Sequence, residues 1–494
     1  MKEATRRGPA SSGLPGLDEI LSGGFPRDRL FLIEGDPGVG KTTLALHFMR
    51  AGVAAGERGL YIALAESVDE LTAVAASHGW TLDGFEVFEL QTGTARGADD
   101  DNTLFHPADI ELAETTNALL EVIDRVRPDR VVFDSLSELR LLAQSPLRYR
   151  RSVLALKQEL GRRHVTVMML DDRTATAGDE QLQSIAHGVL QLDQLAPLYG
   201  GDRRRLRVAK IRGVKTTGGY HDFIVKTGGL EVFPRLVASD YSDTGVLGRA
   251  ASGVPELDAL MGGGIDRGSS VVFMGPPGSG KSLIGMQFAV AAAARGENVK
   301  SFLFDETKKM VEMRAAGVGF KLAGHRGTMT LQQIDPAEMA PGEFVQSVRE
   351  SVEKDDVKLI VIDSLNGYIN AMPEEQFLSL QMHELLGYLS HRGVVTILIL
   401  AQAGVMGQMQ TPVDISYLAD SVVLLRYFET AGRLRRAISV LKRRGGFHET
   451  TIRELELSSA GLKVGPPLAQ FHGIMTGVPR LVGQAQRGDD NGDA

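Results

Sequence analysis

Apolar residues in this chain gather in short continuous runs separated by helix-length segments. One series comprises Leu30 to Glu34, Leu60 to Leu64, Arg130 to Asp134 and Val165 to Leu170. A second comprises Val271 to Met274, Lys300 to Phe304, Leu359 to Asp363 and Val394 to Leu400. Continuous Val, Ile and Leu without polar alternation predict strands covered on both faces, as in a parallel sheet. After the first run of each series, Leu44, Phe48 and Met49, or Ile284 and Phe288, recur at helical spacing and predict a helix with an apolar face. Each series therefore predicts a doubly wound α/β domain, a mostly parallel twisted sheet covered by helices.

The two series are copies. Gly13 and Gly253, Asp18 and Asp258, Gly24 and Gly264, Lys41 and Lys281, and Glu66 and Glu306 all stand 240 residues apart. Asp134-Ser135-Leu136 and Asp363-Ser364-Leu365 stand 229 apart, so the second half is 11 residues shorter in between. The polar stretch Gly93 to Asn102 supplies part of that excess, and a duplication with a changed loop length explains the pattern. The expected domains are 1–240 and 241–483, joined near the polar, Gly-containing stretch Ala238 to Gly248. A short disordered acidic tail is expected over 484–494.

Composition narrows the function classes. With 494 residues and 43% hydrophobic content, each half can bury an ordinary core. A net charge of −8 gives no overall basic field to draw the chain to nucleic acid or anionic lipid. The absence of cysteine excludes disulfides and cysteine-ligated zinc and fits a reducing compartment. Met1 to Ser12 carries no apolar signal-like segment, and runs such as Val394 to Ala403 are too short to span a bilayer. A soluble cytoplasmic protein is expected.

The chemistry sits between strand and helix in each half. Gly35-Asp36-Pro37-Gly38-Val39-Gly40-Lys41-Thr42 and Gly275-Pro276-Pro277-Gly278-Ser279-Gly280-Lys281-Ser282 both satisfy the P-loop pattern. Glycines let successive backbone N–H groups point at phosphate oxygens, and the following helix adds its positive end. Lys41 and Lys281 are placed to bridge β- and γ-phosphate oxygens, with Thr42 and Ser282 offering a hydroxyl to Mg²⁺. Asp134 and Asp363 end apolar strands, where a carboxylate holds the same ion; the plainer role of such an Asp is to cap the next turn. ATP and Mg²⁺ are the expected ligands.

Glu66 and Asp305-Glu306 follow the next strand of each half, where a carboxylate can orient or deprotonate the attacking oxygen. Ala65 stands where the second half has Asp305, so the first half is suited to positioning water and the second to activating a hydroxyl. A solvated helix start is the competing reading. Lys210-Ile211-Arg212-Gly213 and Lys442-Arg443-Arg444-Gly445 recur late in each half. Alternation puts Lys and Arg on one strand face, fit to reach a neighbouring subunit's γ-phosphate, or simply to keep an edge strand soluble.

The paired P-loops, the Ser-Gly-x-Pro-x-Leu-Asp openings at Ser12 and Ser252, Glu66 and Glu306, and the late Lys-x-Arg-Gly strands together resemble the KaiC family of tandem RecA-like P-loop NTPases. The resemblance covers about Gly13 to Gly483. It implies a double-ringed homohexamer with ATP and Mg²⁺ at subunit interfaces, slow hydrolysis in the first ring and serine/threonine autokinase activity in the second. It places cis nucleotide contacts on Gly38, Val39, Gly40, Lys41, Thr42 and Thr43, and on Gly278, Ser279, Gly280, Lys281, Ser282 and Leu283. Trans contacts fall on Lys210, Ile211, Arg212, Lys442, Arg443 and Arg444, and catalytic carboxylates on Glu66, Asp305 and Glu306. The family's phosphorylation pair matches Ser416 and Tyr417, with Thr411 matching a further hydroxyl. Ser416 is therefore the candidate acceptor, its plain alternative being an ordinary turn serine. Tyr417 in place of Thr removes the basis for an ordered two-site cycle. A KaiB-like or histidine-kinase signalling partner is expected, and neither membrane nor nucleic acid. Two other readings use the same core: a RadA- or RecA-like DNA-dependent ATPase, and a nucleotide-gated scaffold.

Overall fold

Every apolar run becomes a strand whose ends fall within two residues of it. The computed structural model describes residues 8–90, 107–173, 180–197, 200–370, 378–402, 418–474 and 480–481; Gly93 to Asn102 and the tail 484–494 lie outside them. The chain divides into two compact units, Met1–Arg235 and Leu236–Ala494.

The first unit opens with α1 (Pro15–Ile20), β1 (Leu30–Gly35), α2 (Lys41–Ala54), β2 (Gly59–Ala63), α3 (Val68–Ser77) and β3 (Glu86–Glu89). Next come α4 (Pro107–Val126), β4 (Arg130–Asp134), α5 (Leu136–Ala143), α6 (Pro146–Arg162) and β5 (Thr166–Asp172). It closes with α7 (Glu180–Ile185), β6 (Gly188–Leu195), β7 (Arg203–Ile211), β8 (His221–Lys226) and β9 (Gly229–Phe233). The strands form one sheet in the order β3-β2-β4-β5-β1-β6-β7-β8-β9. The strands from β3 to β6 are parallel, and β7, β8 and β9 add on antiparallel.

Every residue of β1, β2 and β4 is buried, because helices cover both faces of the sheet. Phe31 and Ile33 meet Leu44, Phe48 and Met49 of α2 in one cluster. Leu30 and Leu32 point the other way and join Ile123, Leu156 and Leu160. Arg130 is the largest polar exception, 1% exposed at the start of β4. Its guanidinium donates to Glu57 at 2.5 Å and to the carbonyls of Ser11 and Phe48 at 2.7 Å each. Gly52 makes room for it: a Cβ there would lie 2.7 Å from the Arg130 side chain.

The second unit repeats the plan. It runs through β10 (Arg249–Ala250), α8 (Pro255–Leu260), β11 (Ile265–Asp266), β12 (Ser270–Gly275), α9 (Lys281–Ala294), β13 (Asn298–Leu303) and α10 (Lys308–Gly317). There follow β14 (Met329–Gln333), α11 (Pro341–Glu353), β15 (Val357–Asp363), α12 (Leu365–Asn370), α13 (Leu378–His391) and β16 (Val395–Ala401). Antiparallel strands β17 (Ser421–Thr430), β18 (Arg433–Arg443), β19 (Arg453–Ser458) and β20 (Gly461–Pro467) complete a sheet ordered β14-β13-β15-β16-β12-β17-β18-β19-β20, with β17 still parallel to β12. Ala238 to Thr244 belongs to this unit. Its Ala238 N–H donates to Glu384 at 2.8 Å, its Thr244 N–H to His391 at 2.9 Å, and Tyr241 packs on Tyr388. Both folds are thus tandem RecA-like α/β domains with mostly parallel sheets.

Register positions the chemistry. Gly35 faces Asp172 across β1 and β5, and Ala63 faces Asp134 across β2 and β4. In the second unit Gly275 faces Ala401, and Leu303 faces Asp363. All these residues lie at the carboxyl ends of parallel strands, where ligands bind in open α/β sheets.

Candidate active site

In each unit the loop turns sharply out of a buried strand into a buried helix. Gly40 and Gly280, the residues before α2 and α9, have φ values of 113° and 104°, a left-handed conformation that glycine tolerates. At Gly280 a Cβ would also lie 2.8 Å from Leu457. Val39 is wholly buried and Thr43 nearly so, while Thr42, Ser282 and Leu283 are half-buried. Ser279 is buried with its hydroxyl lacking a hydrogen-bond partner.

Lys41 is buried and donates to the carbonyls of Gly35 at 2.8 Å and Asp36 at 2.9 Å, while pairing with the Asp172 carboxylate at 2.8 Å. Burial works to raise the Asp172 carboxyl, but Lys41 and the hydroxyls of Ser137 and Ser135 outweigh it and hold it below the usual aspartate range. Among the described residues Lys281 meets only the Pro276 carbonyl at 2.8 Å, because Ala401 stands in the register position of Asp172. Burial pushes Lys281 down to about 8, with Asp363 opposing.

The Thr42 hydroxyl donates to Asp134 at 2.9 Å, and the buried Tyr61 hydroxyl donates to the same oxygen at 2.6 Å. Burial raises the Asp134 carboxyl while both hydroxyls oppose it. Asp363 repeats this: burial raises it, and the Ser282 hydroxyl and Arg314 work the other way. Each pair offers two hard oxygen donors. Among the described residues no group of three or more His, Cys, Asp or Glu forms a metal cage. The donor set nevertheless fits Mg²⁺, which takes one or two carboxylates and completes its shell with phosphate and water.

Glu66 follows β2 and is held there by the start of α3. Ser67 caps that helix by accepting from the Glu70 N–H at 3.2 Å, and Glu70 accepts from the Ser67 N–H at 2.8 Å. Burial raises the Glu66 carboxyl, and Asp134, Glu70 and Asp172 add to the rise. One Glu66 oxygen is buried without a hydrogen-bond partner. In the second unit Asp305 accepts from the Ser364 hydroxyl, and Glu306 accepts from the Arg314 guanidinium.

The late basic residues lie at the other end of the sheet. Lys210 is registered with Val189 near the start of β6, whereas Gly35 faces Leu192. Beyond Leu206, β7 loses its pairing to β8, so its last residues have one open side. Lys210 donates to the Gln183 carbonyl at 2.6 Å and Arg212 to that of Ser184 at 3.3 Å, while Ile211 packs against the core. Lys442 donates to the Ala419 carbonyl at 2.9 Å and Arg444 pairs with Asp420 at 3.5 Å. Arg443 is turned inward, pairing with Asp266 at 2.8 Å with its side chain 3% exposed. Within one unit these groups are not brought to that unit's own P-loop. Ser416, Tyr417 and Thr411 lie outside the described residues.

Four contributors escaped the sequence reading: Tyr61, Asp172, Ser137 and Arg314. Only Asp172 left a signal, since Asp171-Asp172 directly follows the apolar run Val165 to Leu170. Behind the first loop lies an aromatic cluster. Thr43 Oγ1 is 3.3 Å from His78 Nε2, and Trp80 packs on His47 and His78, with Arg50 over its ring. Among the described residues, no helix is long and apolar enough to cross a membrane.

Comparison with known proteins agrees with this layout. The family model for the KaiC ATPase matches residues 10–237 and again 250–469. The chain is 26% identical to the circadian clock oscillator protein KaiC of Parasynechococcus marenigrum over 493 residues, covering 97% of this chain and 94% of that protein. It is 26% identical to the KaiC of Thermostichus vulcanus, over 95% of this chain and 91% of that one. With the circadian clock protein KaiC3 of a Synechocystis species it shares 24% identity over 96% and 95% of the two chains.

Proposed function

Since the chain belongs to the KaiC ATPase family, we propose that it binds ATP with Mg²⁺ at both P-loops, hydrolyses it, and works as a homohexameric signalling protein with serine autokinase activity in the second unit. One observation supports this most. Each unit repeats a buried loop lysine, a hydroxyl–carboxylate pair and a glutamate just past the neighbouring strand.

In the first unit Lys41 exchanges Asp172 for the β- and γ-phosphates, and the loop N–H groups cradle them. Thr42 and Asp134 would hold Mg²⁺, which would offset phosphate charge. Glu66 accepts a proton from water as the water oxygen bonds to the γ-phosphorus. The bond from that phosphorus to the bridging oxygen breaks, and ADP leaves with the electron pair. Lys210 and Arg212, remote from their own loop, suit the γ-phosphate of a neighbouring copy. In the second unit Asp305 and Glu306 serve a hydroxyl nucleophile, with Ser416 as acceptor: its oxygen bonds to phosphorus, its proton passes to a carboxylate, and ADP departs. The clock role in the relatives' names is carried here as signalling, with a KaiB-like or histidine-kinase partner, rather than ordered two-site timekeeping, because Tyr417 replaces a hydroxyl acceptor of the Thr type.

Phosphate release and intact mass after incubation with Mg²⁺ and ATP test the reading. Lys41→Ala and Lys281→Ala should each remove part of the release. Ser416→Ala should remove a phosphate-sized mass gain. A wild-type chain that releases no phosphate contradicts the whole reading.

A further inference from the structure

The two candidate bases differ in having an arginine partner. Arg314, in the second turn of α10, reaches back along its helix and donates to one oxygen of Glu306. Its charge also bears on Asp363. The residue 240 positions earlier is Val74, on α3, and it packs against the first unit's core. Among the described residues Glu66 makes no ion pair, whereas one oxygen of each glutamate, Glu66 and Glu306 alike, is buried without a hydrogen-bond partner. The frame otherwise corresponds: both glutamates follow the neighbouring strand and stand near a strand-end aspartate, with Asp305 beside Glu306 where the first unit has Ala65.

A carboxylate takes a proton from water only with a basic lone pair turned toward it. A guanidinium bonded to that carboxylate engages one of its lone pairs and holds the group in place. We propose that Arg314 is a positioning residue that ties Glu306 back from water, making the second unit the slower hydrolase of the two. This rests on the reading of both units as ATP sites. The restrained step is the attack of water oxygen on the γ-phosphorus, with cleavage of its bond to the bridging oxygen. The water proton goes to Glu306 and the electron pair to departing ADP.

The test uses the full chain carrying Lys41→Ala, so that only the second loop turns over, and measures kcat and KM for phosphate release. Arg314→Met, apolar and of similar length, is expected to raise kcat about tenfold, a fraction of the ~10²–10⁴ that a positioned base contributes, with KM within about twofold. Arg314→Lys, which keeps a cation without the planar fork, should fall between the two. A kcat for Arg314→Met at or below its parent, in protein that still binds a fluorescent ATP analogue, overturns the proposal; so does a change confined to KM. Should Arg314→Met not fold, the converse variant decides. Val74→Arg in a Lys281→Ala chain must lower first-unit kcat, and an unchanged value overturns the proposal. These failures leave the function intact as long as the wild-type chain releases phosphate; if it does not, both readings fall.

Discussion

Glu66 shows how much a single side chain can owe to its surroundings. Its sequence neighbours reveal only a carboxylate before a helix; the rise in its pKa comes first from burial and then from Asp134, Glu70 and Asp172. A raised carboxyl keeps its proton to a higher pH, so a base of this kind is silent below its folded pKa and active above it. First-unit phosphate release, measured in a Lys281→Ala chain, should therefore fall as pH drops through a midpoint above the ordinary glutamate value of 4.5. Glu66→Gln should lower the rate by ~10² or more at neutral pH and erase that limb of the profile. A limb that survives in Glu66→Gln would assign the proton to another group. The P-loop residues, Asp134 and Glu66 were legible because their chemistry is local: a glycine-rich turn, a strand end, a helix start. Tyr61 was not, and Asp172 showed only as a second acid after an apolar run, since they reach Asp134 and Lys41 through sheet register.

Among elements, strands were legible wherever helices cover both faces, because full burial leaves no polar position to blur the run. Arg130 to Asp134 was read to the residue for that reason. The antiparallel strands β7 to β9 were harder, since half-exposed strands such as Arg203–Ile211 look like basic loops. Arg130 itself gave no hint of burial in sequence. It joins α2, the Ser11 backbone and Glu57 at the base of β4, and Arg27 also pairs with Glu57 at 2.5 Å. Arg130→Met would leave Glu57 in an apolar site with one cation instead of two. Removing one member of such a buried pair costs ~3–5 kcal/mol. Urea unfolding followed by hydrogen exchange in α2 and β4 should show that loss, and a change below about 1 kcal/mol would mean Glu57 is satisfied by Arg27 alone. The smaller Gly52→Ala change presses on the same guanidinium and should destabilise in the same direction.

At the scale of the whole molecule, duplication preserved the frame while the charges drifted apart. His47, His187 and His221, all in the first unit, are each lowered to about 4, chiefly by burial. His221 is 1% exposed, and its ring accepts from the Arg235 N–H at 2.8 Å and is 2.9 Å from the Thr217 carbonyl. As pH falls from the free value of 6.5, the unfolded chain takes up a proton that the folded one refuses. The His221 contribution is thus complete above 6.5 and is lost on the way to about 4, amounting to roughly 3 kcal/mol. Hydrogen exchange at pH 7 and pH 5 should show first-unit peptides opening on acidification, and His221→Phe should blunt that response. Exchange that is independent of pH after correction for intrinsic rates would rule this out. The aromatic cluster behind the first loop has a practical corollary. The chain has one tryptophan, and Trp80 touches His78, which in turn touches the residue after Thr42. Native ultraviolet emission is therefore a label already installed beside one of two duplicated pockets. A titration of the unmodified chain should brighten or dim as the amino-terminal pocket fills, and a Lys41→Ala chain should lose that change.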